Sequence, residues 1–335
     1  MTENHARISP ALVETIAGLS AGTMSTLAVH PLDVIKTRLQ SDFIPLFSVN
    51  AVLTYTVHRS TSLTPASGLT ILRSLTRQPQ PLQSLYRGLT PNLFGNASSW
   101  ALFFYFKNFF ESSLRSFHNQ PSNSNHVSLS PVDYFLASGS AGIMITISTN
   151  PIWVLKTRML SSDRSSAGAY QSMWHGARQV WQYEGLRGFY RGVGVSLLGN
   201  SHGAVQFAVY EPLKNFWRNH ISGQTLRGDR ESSQVKLGNT ATLLLSSSAK
   251  IIAGTATYPY QVVRSRLQTY DAEERFGKGI RGVVGKVWRE EGWRGFYRGL
   301  GTNIVRVLPA TWVTFLVYEN VKFHLPRWWS ETGEK

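Results

Sequence analysis

The octapeptide Pro151-Ile-Trp-Val-Leu-Lys-Thr-Arg158 closes an apolar stretch, and it has two counterparts: Pro31-Leu-Asp-Val-Ile-Lys-Thr-Arg38, which starts 120 residues earlier, and Pro259-Tyr-Gln-Val-Val-Arg-Ser-Arg266, which starts 108 residues later. A second element follows each. It reads Tyr86-Arg-Gly88 in the first copy, Glu184-Gly-Leu-Arg-Gly-Phe-Tyr-Arg-Gly192 in the second and Glu291-Gly-Trp-Arg-Gly-Phe-Tyr-Arg-Gly299 in the third, with Gln80-Pro81 standing where the later copies have Glu-Gly. Two ordered elements at this period, three times over, define a chain of three internal repeats. Proline and tyrosine lie 55, 39 and 38 residues apart. Repeat 1 therefore carries an insertion, placed in the polar, Ser/Thr-rich stretch of about 41–67.

Around these anchors run segments long enough to cross a membrane. Thr15–Leu32, Gly88–Phe106, Tyr134–Leu155 and Gly192–Tyr210 hold no full charge, and the corresponding fifth and sixth runs are interrupted once each, by Lys250 and Arg306. A spanning helix needs about 20 residues. The pattern predicts an all-α membrane protein: six transmembrane helices, near 11–40, 90–117, 131–161, 192–219, 237–269 and 299–325, in three tandem pseudo-symmetric repeats around a central cavity. The repeats cover 11–117, 131–219 and 237–325. Short surface helices are expected near 68–78, 170–183 and 278–290, and polar loops at 118–130 and 219–236.

Bulk properties agree with this reading. The 335 residues carry a net charge of +15, with 16% charged and 12% aromatic residues and no cysteine. Such a balance suits anionic partners. A mean hydropathy of −0.15 is compatible with spanning helices if each turns a polar face to a wet cavity. The absence of cysteine excludes disulfides and thiolate metal sites. No metal-site pattern emerges from the scattered histidines, and no Gly-rich nucleotide loop, Walker loop or His-Glu-x-x-His element occurs, so neither an enzyme nor a bound cofactor is predicted. A basic nucleic-acid binder is the distant alternative, opposed by the charge-free runs. Residues 1–10 lack the pattern of a secretory or transit peptide. The basic residues Lys36, Arg38, Lys156, Arg158, Arg264 and Arg266 share one side with the basic connectors. Six helices then put both termini on the other side.

The three proline elements with their Gly/Tyr/Arg/Gly partners resemble the mitochondrial carrier family over roughly residues 11–325. Asn150-Pro-Ile-Trp153, Tyr258-Pro-Tyr-Gln261, Gly199-Asn-Ser-His-Gly-Ala-Val-Gln206 and Lys250 are most similar to the members that carry FAD or folate, fungal FAD carriers above all. The resemblance implies alternating-access transport across the mitochondrial inner membrane, both termini toward the intermembrane space. It implies a monomer, cardiolipin as bound lipid, no nucleic acid, and FAD or folate as cargo, with NAD and pyrimidine nucleotides as alternatives.

It also implies site residues. Pro31, Pro151 and Pro259 kink the odd helices. A matrix gate is expected from Asp33, Lys36, Lys156, Gln261, Arg264, Gln40 and Gln268, with Asp33 pairing Lys156 and Gln261 bonding Lys36. Trp153 breaks the acidic pattern, leaving one full salt bridge. A cytoplasmic gate is expected from Tyr210, Glu211, Lys214, Tyr318, Glu319 and Lys322, with Glu211 pairing Lys322; ordinary surface pairing is the other reading. Substrate contacts are expected at Gly95, Asn96, Trp100, Trp153, Gly199, Asn200, His202, Lys250, Arg264 and Arg306. Trp153 would stack on a flat ring or serve as packing. Lys250 and Arg306 are mid-span charges that need water or a partner; the other reading for Lys250 is snorkelling. Trp100 and His202 fit packing equally well. Gly18-x-x-x-Gly22 and Ser138-x-x-x-Gly142 are expected to bring helices close. The Tyr/Arg/Gly elements fit either cardiolipin binding or interfacial anchoring.

Overall fold

The computed structural model describes residues 10–41, 67–117, 130–163, 169–217, 239–270 and 272–332, and among them every regular element is helical. The insertion of about 41–67 and the connectors at 118–130 and 219–236 lie almost wholly outside the described residues. Repeat 1 contains α1 (Pro10–Ser41), α2 (Gly68–Thr76), α3 (Pro81–Leu85) and α4 (Leu89–Phe117). Repeat 2 contains α5 (Pro131–Ser161), α6 (Met173–Phe189), α7 (Val193–Leu198) and α8 (Ser201–Trp217). Repeat 3 contains α9 (Asn239–Ala256), α10 (Tyr258–Gln268), α11 (Ala272–Phe276), α12 (Gly279–Gly295) and α13 (Leu300–Thr332).

These make six long tracts, two of them broken. The predicted fourth helix divides at Gly199–Asn200, where Gly199, Asn200 and His202 donate three residues back instead of four, a tighter turn than the α-helix. The predicted fifth helix divides at Thr257. Pro259 sits in the first turn of α10, where its missing N–H costs nothing. Pro31 and Pro151, by contrast, lie inside continuous helices. The surface helices extend further than expected: α6 and α12 run on through the Glu-Gly elements, with Gly185 and Gly292 left non-helical inside them.

The tracts close into a ring. α1 packs against α4 and α13, α4 against α5, α5 against α7, α8 against α9, and α9 against α13. A tract of 29 residues such as α4 measures about 43 Å, enough to span. By composition, two segments are long and apolar enough to cross a membrane, Leu12–Ser41 and Leu300–Trp329, with mean hydropathy 1.3 and 1.4. Phe104, Phe135, Phe207, Val305 and Leu316 on the long tracts are exposed, as apolar side chains suited to lipid would be.

The odd tracts meet at one end only. α10 packs against both α1 and α5, whereas α9 packs chiefly against its ring neighbours α8 and α13. The junction is cyclic. Arg38 Nε donates to the Leu160 carbonyl at 3.2 Å, Arg158 Nε to the Gln268 carbonyl at 3.1 Å, and Arg266 Nε to the Gln40 carbonyl at 3.0 Å. Each repeat thus caps the orphan carbonyls at the end of the next repeat's odd tract. Each guanidinium also holds a carboxylate: Arg38 with Asp163 at 2.7 Å, Arg158 forked onto Glu184, and Arg266 forked onto Glu291 at 2.6 and 2.9 Å. Repeat 1 lacks the glutamate because Gln80 stands there, and it uses Asp163 of repeat 2 instead.

Glycine at the end of each Tyr-Arg-Gly element permits this closeness. Gly88 has φ +72° and Gly299 φ +83°, conformations that cost other residues strain. A Cβ at Gly88 would meet the Leu160 side chain, and one at Gly299 would lie 3.2 Å from Leu39 Cβ. The residue before each proline ties its tract to the same element. His30 Nε2 donates to the Arg87 carbonyl (3.0 Å), Asn150 Nδ2 to the Phe189 carbonyl (2.7 Å), and the Tyr258 hydroxyl to the Arg298 carbonyl (3.0 Å). The small-residue pairs behave unequally. Gly142 admits the Asn200 side chain to within contact, while Gly18 and Gly22 have open space in front of them, so no helix approaches closely there.

Candidate functional site

Just inside the closed end, cations crowd one carboxylate. Arg306 on α13 pairs with Asp33 on α1 at 3.0 Å. The expected Asp33–Lys156 ion pair is not formed. α13 packs closely along α1 and delivers a guanidinium to Asp33 first, while Lys156 stays among the electrostatic neighbours of Asp33 and stands over the Trp153 ring at 4.6 Å, a cation–π distance. The expected Lys36–Gln261 bond is present at 3.1 Å. Arg264 has no carboxylate partner among the described residues; Tyr260 is its neighbour. Gln268 is buried and lies 3.0 Å from the Thr157 hydroxyl, whereas buried Gln40 leaves its Nε2 without a hydrogen-bond partner.

Lys250 is exposed, yet it lies within Coulombic reach of Arg306 and His202. Lys250 on α9 thus stands near side chains of the two tracts that flank it, α13 and α8. Arg306 sits deeper. Its Nη2 lies 3.4 Å from Asn303 Oδ1, and its buried Nε has no partner.

The uncharged site residues are partly engaged in holding the ring. Asn96 donates to the Thr26 hydroxyl, and Asn200 lies against Thr146, each at 3.2 Å. These bonds join odd and even tracts within repeats 1 and 2. Gly95 leaves room for the Trp153 indole, which a Cβ there would meet at 3.6 Å. Trp153 therefore packs across α4 and α5 with a lysine over its ring. Gly199 borders Tyr260 in the same way, at 3.3 Å. His202 Nδ1 lies 2.9 Å from the Thr257 hydroxyl, which donates onward to the Ala253 carbonyl; the two tract breaks are joined to each other. Trp100 is exposed, and its ring contacts among the described residues are Phe103 and Phe104.

At the opposite end the expected Glu211–Lys322 pair is absent. Lys214 holds Glu211 within α8, and Lys322 holds Glu14 of α1, both at 3.4 Å. Tyr210 and Tyr318 lie beneath Lys214 and Lys322 at 5.9 and 5.4 Å, and Glu319 is exposed. Each residue of the expected pair is instead taken by a nearer partner, on its own helix for Glu211 and on the adjacent α1 for Lys322.

Sequence reasoning missed the buried arginines Arg38, Arg158 and Arg266, which it counted only as positive charge at the membrane edge. The signal was present: each repeat with a Glu-Gly element pairs that glutamate with its own arginine.

A carrier-family descriptor, "Mitochondrial carrier protein", matches residues 9–118, 127–221 and 235–327. The chain belongs to the mitochondrial carrier family. Among its relatives, the mitochondrial FAD carrier protein FLX1 of Saccharomyces cerevisiae is 34% identical, covering 95% of this chain and 98% of that protein. The nicotinamide adenine dinucleotide transporter 1, chloroplastic, of Arabidopsis thaliana is 36% identical over 92% and 91%. The folate transporter 1, chloroplastic, of the same plant is 31% identical over 91% and 92%. The carrier is thus a transporter and not an enzyme, a protein of the mitochondrial inner membrane.

Proposed function

We propose that this carrier moves an anionic, ring-bearing cofactor, FAD foremost, across the inner membrane by alternating access. One observation carries the reading: Lys36, Lys156, Arg264, Arg306 and Lys250 crowd the enclosed space, and Asp33 is the one carboxylate among their electrostatic neighbours within the described residues. So large an imbalance is met by a multiply charged anion. Arg306, with a free Nε, and Lys250 grip the charged part of the cargo. Arginine can fork onto a phosphate, and lysine acts as a point charge. Trp153 offers a flat surface next to Lys156, with Gly95 and Gly199 giving clearance and Asn96, Asn200 and His202 lining the path.

The account includes the orientation and the surroundings. The closed end, holding Asp33, Lys36, Gln40, Lys156, Gln261, Arg264 and Gln268, faces the matrix. The open end, with Glu211, Lys214, Glu319 and Lys322, faces the intermembrane space together with both termini. The repeats 11–117, 131–219 and 237–325 move as units within a monomer, and cardiolipin head groups bind at the Tyr-Arg-Gly elements. FAD is cargo here, not a cofactor.

The test is reconstitution into cardiolipin-containing liposomes with labelled FAD, folate, NAD and UTP, and Arg306→Ala as control. FAD uptake lost in the variant supports the reading. Uptake of folate, NAD or UTP in place of FAD assigns one of the alternatives that the relatives' names suggest. Uptake of none of them removes the proposal.

A further inference from the structure

We propose that His202 is a proton site coupled to the cargo: its ring is neutral in the empty carrier, takes a proton at Nε2 when an anion enters, and returns it when the anion leaves, so that a proton travels with the solute. The inference rests on the anionic-cargo reading above and deepens it by naming a coupling ion.

Hydrogen bonds fix the tautomer. The Thr257 hydroxyl spends its one hydrogen on the Ala253 carbonyl at 2.7 Å, so in its 2.9 Å contact with His202 Nδ1 it accepts. Nδ1 therefore carries the hydrogen of the neutral ring, and Nε2 is left as the basic nitrogen. Nε2 has no hydrogen-bond partner among the described residues, and the side chain is half-buried.

The surroundings of the ring are cationic. Lys250 on α9 and Lys36 on α1 are within Coulombic reach of it, and no carboxylate is among its electrostatic neighbours within the described residues. On α10, Tyr260 adjoins Thr257, and Arg264 neighbours Tyr260. Arg306 on α13 acts on Lys250. α7 bears no titratable residue, and α5 meets the break in this tract through Gly142 and Thr146, both uncharged. α1 does not pack closely against α8, so Lys36 reaches His202 across the ring and not along a shared seam. A solute passing through the ring enters that field.

Charge alone sets the direction. Cations facing an imidazole oppose a second proton, and an anion beside it favours one. Cargo held near Lys250 and Lys36 offsets their field, and the imidazolium then adds a charge-assisted donor to the anion. The proton comes from water on the loading side, bonds to the Nε2 lone pair and returns to water on the release side. No bond to the cargo forms and no electron moves. Binding that takes up a proton is tighter at lower pH, by at most about tenfold per pH unit for a single site.

The experiment uses the full chain, purified in cardiolipin-containing detergent and titrated with FAD and with inorganic sulfate from about pH 6 to 8, the range in which imidazole changes charge. Both anions keep their charge over this range. Calorimetry in buffers of different ionisation heat gives the affinity and the protons taken up. Wild type is expected to tighten about fivefold per unit fall in pH, with net proton uptake. His202→Asn keeps a donor for Thr257 and cannot titrate; it should bind as well as wild type at the alkaline end and lose both the slope and the uptake. His202→Gln repeats the comparison should the asparagine variant not fold. In liposomes, an acidic exterior should speed FAD uptake by wild type and not by the variant. A flat wild-type profile, proton release on binding, or the same slope in His202→Asn, which would assign the proton to the lysines, overturns the proposal. Sulfate binding with the expected slope but no FAD binding removes the cargo and leaves the proton site. FAD binding with a flat profile removes the proton site and leaves the cargo, and binding of neither anion removes both.

Discussion

Replacing Glu291 with glutamine should unsettle the closed end more than the corresponding change in either other repeat. The three acid partners differ in exposure: Glu291 is 4% exposed, Glu184 15% and Asp163 23%. Arg266, opposite Glu291, is fully buried and also caps the Gln40 carbonyl. Removing the charge of Glu291 leaves that guanidinium uncompensated in a dry site, a loss of about 3–5 kcal/mol. The unfolding entropy of a chain this long is on the order of 0.7 kcal/mol per degree, so the melting temperature should fall by about 4–7 °C. Asp163→Asn also leaves a buried guanidinium, but one that keeps its bonds to the Leu160 and Ser162 carbonyls and whose lost carboxylate was already part-solvated; it should cost about 1–2 kcal/mol, a shift of about 1–3 °C. Glu184→Gln should fall between them, because the exposure of Glu184 is intermediate. Thermal unfolding of the full chain in detergent, followed by tryptophan fluorescence, gives all three values. Equal shifts, or a larger one for Asp163→Asn, would refute the argument that burial sets the strength of this ring.

Other positions give independent checks. Gly299→Ala must adopt φ +83° and press on Leu39 and the Tyr258 hydroxyl; it should cost ~1–3 kcal/mol, whereas Gly22→Ala, in a helix with open space in front of it, should cost nothing, as read by the same melts. Thr257→Val removes the acceptor for His202 and should cost about 1 kcal/mol, with the two breaks in the fourth and fifth tracts exchanging amide hydrogen faster. Trp153→Ala should reduce uptake of FAD into liposomes without lowering uptake of pyrophosphate; unchanged FAD kinetics would assign the indole to packing against Gly95 alone.

Much of this architecture was legible because its determinants are local and repeated. Proline ends an apolar run, and glycine marks a backbone that must turn with positive φ. Both read the same in isolation as in the folded chain. Partners chosen across repeats were less legible. Asp33 has four basic neighbours, Arg306, Lys156, Lys36 and His30, and sequence spacing does not say that α13 lies close enough along α1 for Arg306 to win over Lys156. The Glu211–Lys322 pair fails for a related reason: each residue is taken by a nearer partner, and residue order does not say that Glu14 of α1 comes within reach of Lys322. The breaks at Gly199–Asn200 and Thr257 were hidden because only tertiary bonds, notably His202 to Thr257, reward them.

The chain contains no cysteine, so a single introduced thiol reports its own environment. Lys250→Cys, probed in mitoplasts with a charged, membrane-impermeant thiosulfonate, should be labelled from the side bearing the termini, and FAD should protect it. A thiol that reacts only with lipid-soluble maleimide would place position 250 in hydrocarbon and contradict an aqueous path through the ring.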